Sequence, residues 1–503
     1  MKTTHTLLFI LSVFLLLGVA WLAFPAEGVS VGGQELRFAS YAQAKQGQAE
    51  EMDVDAILDE VNKSFEMSCS ETLLDSLVFY RDYLTVNPNR IYLPNDDYTY
   101  FDSLFHLFER AKADKKVYRV MHYGDSQIEM DRITSVFRQR LQELFGGSGP
   151  NMVPAIQRVA SISVTQNYAG GLTRNTVYGD STTRRAPHKR YGPMTQFSQT
   201  QGQSTVTFSK TRNSKAYEKA KDISRVSVLI GYNSDGFKAT LKADTLKTEP
   251  LVAPAKPGVT LLSWDLPAKV NRGTLSLQGS AEVYAILLDG NYGVAVDNIP
   301  LRGCSGTIFH RINKDVMREA FELLDTRMII LQFGGNRMPS IHGTKSVSHY
   351  MRELEQEIRY FKEVAPQATL LFIGPADMGK SYNGQMGTWK GLPELNDSIK
   401  ATALRCEVAY WDMFHVMGGE GSMAQYVKHK PALAGPDYIH FTFTGAQEIG
   451  DDLAKSFTTY YDFYKLRQGL PDDSISGFMH KDRTIIEKEK RKREKTFQSP
   501  QYF

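Results

Sequence analysis

Cysteine is scarce in this chain: Cys69, Cys304 and Cys406 are the three among 503 residues. So few thiols, so far apart, exclude a disulfide framework and a zinc site built on cysteine pairs. They read as buried or free thiols, since any one disulfide would leave an odd sulfur. An excess of charge is also lacking. The formal net charge is +3, which gives no reason to expect a nucleic-acid partner. Histidines and carboxylates at metal-ligand spacing are missing, so neither a metal nor a cofactor is expected. Long apolar runs are missing too, with one exception. Leu7–Phe24 carries no charge over 18 residues, follows Lys2 and precedes Glu27.

That length is enough to cross a hydrocarbon core. It exceeds the usual core of a signal peptide, and Phe24-Pro25-Ala26 makes a poor cleavage site. The expectation is an uncleaved anchor in an inner membrane, with Lys2 on the cytoplasmic side and the rest of the chain periplasmic or otherwise extracytoplasmic. The alternative is secretion after signal cleavage.

An apolar share of 42% supplies real cores, and the length implies two or three domains. Residues 1–28 form the anchor or signal peptide. Residues 29–112 read as an N-terminal linker and helical region: Met52–Tyr83 has helical spacing, Asn87–Tyr98 is turn-rich, and Tyr100–Ala111 is helical again. Val117–Met121 is a short apolar strand, followed after a Gly-Asp-Ser turn by helical spacing over Ile128–Phe145. Gly146–Pro150 is a break. Residues 151–289 then change character, with alternating Val or Leu among Thr, Ser and Gly, and turns such as Asn233–Gly236 between. This pattern predicts an antiparallel β-sandwich insert. From residue 290 to 466 strands and helices alternate: Phe309–Leu324 helical, Arg327–Phe333 a strand, Val347–Val364 helical, Thr369–Ile373 a strand, Leu395–Cys406 helical, Val408–Trp411 a strand, Thr444–Phe463 helical. The expected fold is α/β, a three-layer α/β/α sandwich with a parallel sheet interrupted by the insert. Residues 467–503 form a charged tail, with Glu487–Lys495 read as a solvated helix or irregular chain.

In a parallel sheet, function gathers at the carboxyl ends of the strands. Two candidate blocks lie there. Gly124-Asp125-Ser126 follows the first strand, and Gly334-Gly335-Asn336 follows Arg327–Phe333. A serine hydroxyl needs a base, and the base needs a group to fix its tautomer. Asp437-Tyr438-Ile439-His440 supplies both on one turn: the carboxylate can reach Nδ1, leaving Nε2 for the hydroxyl. Asn336 offers an amide donor to a tetrahedral oxyanion, and Gly303 of Leu301–Gly306 a backbone N–H. Gly306 is the fallback donor. Asp125, Gly334 and Gly335 are placed in support of these groups. Each piece alone is commonplace. All four in order, on the right elements, define a serine acyl-transfer site. His122, His310, His415 and Asp412 are read as structural neighbours.

This arrangement resembles the SGNH (GDSL-type) hydrolase superfamily, named for a Ser, Gly, Asn and His in four blocks. Here they match Ser126, Gly303, Asn336 and His440, with Asp437 completing the triad. The resemblance covers about Val117–Phe145 and Asp297–Phe463. Block one reads GDSQ where many members have GDSL, and Arg302 stands where the family often has Asn. The nearest look is to extracytoplasmic bacterial members with a β-sandwich insert, which act on O-acetyl groups of cell-wall or exopolysaccharide glycans. The resemblance implies an esterase or O-acetyltransferase, no cofactor, an O-acetylated glycan substrate, and a membrane-bound O-acyltransferase as a conceivable partner. The competing readings are a lipase or thioesterase with the same site, and a non-catalytic glycan-binding scaffold with the same fold.

Overall fold

The computed structural model describes residues 75–179 and 183–470, with residues 12, 13, 15, 18, 19, 29–31, 34–36, 73, 475 and 479 besides. The chain divides into two compact units, Met1–Phe79 and Tyr80–Phe503. In the first, Val29–Val31 and Gln34–Leu36 pair as an antiparallel hairpin. Most of the expected anchor Leu7–Phe24 lies outside the described residues; its five described positions are helical. Among the described residues no helix is long and apolar enough to cross a membrane. The charged segment Glu487–Lys495, most of Met52–Tyr83 and Cys69 also lie outside them.

The second unit is built on a six-stranded sheet. In chain order its strands are β1 (Ile91–Tyr92), β2 (Val117–Gly124), β3 (Gly293–Pro300), β4 (Thr326–Gln332), β5 (Thr369–Ile373) and β6 (Ala409–Trp411). Their spatial order is β3-β2-β4-β5-β6-β1. All neighbours run parallel except β1, which pairs antiparallel with β6 at the edge. Nearly every side chain of β2 and β4 is buried, as a sheet covered on both faces requires.

Helices α1 (Asp102–Arg110), α2 (Thr134–Phe145) and α6 (Phe443–Arg467) cover one face. Phe105 and Phe137 both pack edge-on against Phe457 there. Helices α3 (Lys314–Leu323), α4 (Thr344–Val364) and α5 (Leu392–Arg405) cover the other, around Phe321, Tyr350, Phe361 and Leu395. The caps explain two boundaries: Asn313 accepts from Val316 N–H to start α3, and Thr442 accepts from Gly445 N–H to start α6.

Three differences from the sequence expectation have physical causes. Residues 87–111, placed with the N-terminal linker and helical region, pack into the α/β core: Ile91, Phe101, Phe105 and Phe108 are all buried in it. A two-residue strand is too short to leave a periodic signal. Second, Ile128–Phe145 is not one helix. A 3-10 turn, Ser126–Asp131, ends where Met130 enters the left-handed region (φ 61°), and α2 starts afterwards.

Third, the insert is one continuous eight-stranded antiparallel sheet rather than two separate ones. Its long strands Ile223–Ala243 and Arg272–Asp289 bend at register shifts between Gly279 and Ala285 instead of ending. The two arms of the bent sheet enclose a common core that includes Val226, Phe237, Leu241, Trp264 and Leu275. Arg190 and His188 of the insert both meet the buried carboxylate of Glu282, at 2.7 and 3.2 Å.

A buried polar knot joins insert to sheet. Arg119 of β2 donates to Asp297 of β3 at 2.8 Å and to Asp289, the last residue of the insert. Asn151, the first strand residue of the insert, donates to Asp289 at 3.0 Å, and Met152 N–H donates to Asp297 at 2.8 Å.

Candidate active site

Strand β2 delivers the Gly-Asp-Ser turn to the carboxyl edge of the sheet. Gly124 has no room for a side chain: a Cβ there would stand 2.9 Å from Cδ1 of Ile128. Asp125 caps the turn by accepting from Gln127 N–H at 2.9 Å, and Ser126 opens the 3-10 turn.

Ser126 Oγ lies 2.8 Å from His440 Nε2, although the two are 314 residues apart. His440 Nδ1 lies 2.7 Å from Asp437 Oδ2. The other Asp437 oxygen accepts the backbone N–H groups of Ile439 and His440, both at 3.1 Å. Partial burial pushes the Asp437 carboxyl up, but the hydrogen bonds from His440 and Ile439 outweigh it, and its pKa lies below the ordinary value. The carboxylate is therefore fixed and charged beside Nδ1, and the hydroxyl faces the free nitrogen. This is the geometry of a base that can take a serine proton.

Asn336 comes from the short turn Gly335–Ser340 after β4. Gly334 makes that turn at φ 134°, with Pro375 and Ile399 about 3 Å from where a Cβ would stand. Both amide hydrogens of Asn336 are engaged: Nδ2 donates to Asp125 Oδ2 at 3.1 Å and to the Cys304 carbonyl at 3.2 Å. Asn336 and Gly335 line the cleft with Ser126 and His440. Gly303 is an exposed residue outside that lining. Its carbonyl accepts from Tyr178 Oη at 2.6 Å. Gly306 is buried, and its N–H points to Cys304 Sγ at 3.3 Å.

The cleft itself has a volume of ≈ 300 Å³ and apolar walls that include Phe333, Met378, Trp389 and Ile439. Beneath it His122 is fully buried between Gln332 and Thr134, each at 3.0 Å. Burial holds its pKa down at about 4, so it is neutral. Burial raises Asp125 to about 6 against the hydrogen bonds from Gln127 and Asn336, and raises the Cys304 thiol to about 12. Cys304 and Cys406 are free. Among the described residues no cluster of His, Cys, Asp or Glu could hold a metal ion.

Two features escaped the sequence reading. Gln127 clamps the histidine loop from both sides: its Nε2 donates to the Ile439 carbonyl at 2.7 Å, and its Oε1 accepts from Phe441 N–H at 3.3 Å. Arg132 adds a second tie, donating to the Phe441 carbonyl at 2.7 Å and to the Ser126 carbonyl at 3.0 Å. Arg302 makes a two-pronged pair with Glu129, with Nε–Oε1 at 2.8 Å and Nη2–Oε2 at 2.6 Å. That pair ties the Gly303 turn to the nucleophile turn. The only signal available was negative: Gln and Arg stand where the family pattern has other residues.

Nucleophile, base and orienter at the carboxyl edge of a parallel sheet define a serine ester hydrolase. Residues 268–448 match the model of the GDSL-like lipase/acylhydrolase family. The match starts inside the insert, so the Ser126 block lies outside it. No curated protein matches the chain. Among solved structures, a peptidoglycan O-acetylesterase aligns with a TM-score of 0.57 and 17% identity, over 73% of this chain and 96% of that one. At that identity the likeness concerns the fold. A family two carbohydrate esterase from Clostridium thermocellum, solved with cellohexaose, is 11% identical over 58% of this chain and 99% of its own, with a TM-score of 0.24.

Proposed function

We propose that this protein cleaves O-acetyl esters on cell-wall or exopolysaccharide glycans through an acyl-serine intermediate. It works on the extracytoplasmic side, held by Leu7–Phe24. The observation that carries the reading is the unbroken chain Ser126 Oγ, His440 Nε2, His440 Nδ1, Asp437 Oδ2, with links of 2.8 and 2.7 Å. The apolar cleft of ≈ 300 Å³ beside Ser126 favours a short acyl group over the long chain of a lipase or acyl thioester.

Ser126 Oγ bonds to the acyl carbon as its proton passes to His440 Nε2. The carbonyl π pair moves to oxygen, giving an oxyanion. The Ser126 backbone N–H and the Asn336 amide are its proposed donors, Asn336 sharing a hydrogen now given to Asp125 or Cys304. The bond to the sugar oxygen then breaks, and that oxygen takes the proton from His440. A water or a second sugar hydroxyl, deprotonated by His440, attacks the acyl-serine and frees Ser126. Water yields acetate, and a sugar yields a transferred acetyl group, as in a protein paired with a membrane-bound O-acyltransferase.

The test is to incubate the full chain with O-acetylated peptidoglycan or polysaccharide, with and without an acceptor sugar, and to count free and transferred acetate. Ser126→Ala should lower acetate release by at least about 10³-fold and abolish labelling by a fluorophosphonate. Release at the wild-type rate from Ser126→Ala refutes the mechanism. A wild-type chain that is never labelled would instead point to a glycan-binding scaffold.

A further inference from the structure

A second, larger cleft of ≈ 790 Å³ runs between the insert and the α/β unit. Its walls meet the nucleophile turn at Glu129 and Met130, three and four residues beyond Ser126, and the Gly303 turn at Pro300, Leu301 and Arg302. On the insert side it is lined by Tyr178 and by Arg158, Arg174 and Arg184.

The charges in this cleft do not balance. Five arginines line it against two carboxylates, Glu129 and Asp131, among the described residues. Both carboxylates are already taken: Glu129 by Arg302, and Asp131 by Arg138 at 2.6 Å and by Ser163. Arg158, Arg174 and Arg184 therefore have no carboxylate partner among the described residues. Arg174 is the telling one. It is half-buried on strand Val164–Thr176, and its Nε donates to the neutral Gln196 amide oxygen. Burial, and then the charge of Arg158, hold its pKa below the ordinary arginine value. A guanidinium drawn out of water beside a like charge is costly unless an anion reaches it. Arginine's planar fork suits a carboxylate, which it can hold by two parallel hydrogen bonds.

We propose that this cleft seats a carboxylate-bearing sugar residue of the glycan, gripped by Arg158 and Arg174, while the neighbouring acetylated residue is presented to Ser126. The proposal rests on the ester-hydrolase reading above and adds the class of glycan. Specificity then lies with the insert: the triad sees an ester that any acetylated sugar could carry, and the arginines select chains that also carry a negative charge. The carboxylate has two natural sources, a uronic acid in a polysaccharide or the lactyl and peptide carboxylates of peptidoglycan.

The experiment measures binding and turnover separately on the full chain. Binding of de-O-acetylated oligogalacturonate, of muropeptides and of neutral cello-oligosaccharide is followed by calorimetry. At least one of the two anionic ligands should bind about tenfold or more tightly than the neutral one, and which one does identifies the source. Arg174→Gln and Arg158→Gln should each weaken anionic binding about tenfold and flatten its salt dependence. Arg174→Lys should keep part of it. Hydrolysis of 4-nitrophenyl acetate and of acetylated xylan should stay at the wild-type rate in all three variants, which also shows that they fold. Equal binding of anionic and neutral glycans, or anionic binding unchanged in the Arg158→Gln/Arg174→Gln double variant, overturns the proposal. If no ester is cleaved by the wild-type chain, the hydrolase reading fails, and the binding arms still decide the cleft.

Discussion

Replacing Gln127 by Leu should uncouple the base from the nucleophile without touching either. Gln127 holds the backbone on both sides of His440, at the Ile439 carbonyl and the Phe441 N–H. Leucine has a similar volume, so the main loss is those two hydrogen bonds. The Phe441 N–H is buried, and leaving a buried group unpaired costs about 1–3 kcal/mol. The Ile439 carbonyl is only partly buried and can turn to water, at a cost of about 0.5–1.5 kcal/mol. If the histidine loop stays in place, stability falls by about 1.5–4.5 kcal/mol. If it relaxes instead, less stability is lost and His440 drifts from Ser126. A drift of about 1 Å costs on the order of 10² in rate. The assay is steady-state hydrolysis of 4-nitrophenyl acetate beside a thermal melt and the rate of fluorophosphonate labelling. The expected outcome is kcat lowered by about 10–100-fold, slower labelling, and a lower Tm. Gln127→Glu keeps the acceptor for Phe441 N–H and loses the donor, so it should fall between. A Gln127→Leu protein with wild-type kcat and Tm would show that the clamp has no part in placing His440.

Two further outcomes follow from burial near the site. Asp125 has its pKa raised to about 6 from 3.8, so between those values the folded state binds more protons than the unfolded chain. Stability should therefore fall as pH rises through that window, by about 3 kcal/mol in all, and level off above it. In melts from pH 4 to 7, Asp125→Asn should flatten this slope; an unchanged slope would assign it to other groups. Cys304 is fully buried with its thiol pushed up to about 12, so a maleimide should leave it unmodified in the native protein and label it after denaturation. Native-state labelling of Cys304 would contradict its place beneath Asn336.

The sequence spoke most clearly where one short segment carries both an element and its chemistry. Gly124-Asp125-Ser126 ends a buried apolar strand, and Asp437 and His440 share one turn. For those residues the spacing alone named the groups that the structure brings within hydrogen-bond reach. Thr369–Ile373 was legible to the residue because a covered parallel strand is apolar throughout. What stayed hidden depends on distant partners. Gln127 and Arg302 look like ordinary polar residues until Phe441 and Glu129 are seen beside them. Gly303 was placed by motif, yet its turn faces Tyr178 of the insert, a contact no local pattern contains. The bend of the insert sheet is set by register shifts near Gly279, where alternation breaks and reads as a strand end.

The Arg119 knot bears on how such a protein can change over time. Arg119 sits on the strand that presents the nucleophile, and one of its two carboxylates, Asp289, belongs to the insert. Excising residues 151–289 as a cassette would take Asp289 and Asn151 out of the knot and leave the Arg119 guanidinium with one of its two carboxylates, Asp297. The insert is thus no detachable accessory. Its strand Asn151–Val153 and Asp289 lock into the floor of the catalytic sheet, so its outer arms are free to vary while its root is not. A recombination that keeps Asn151, Asp289 and Asp297 keeps the root of the insert and can exchange the rest.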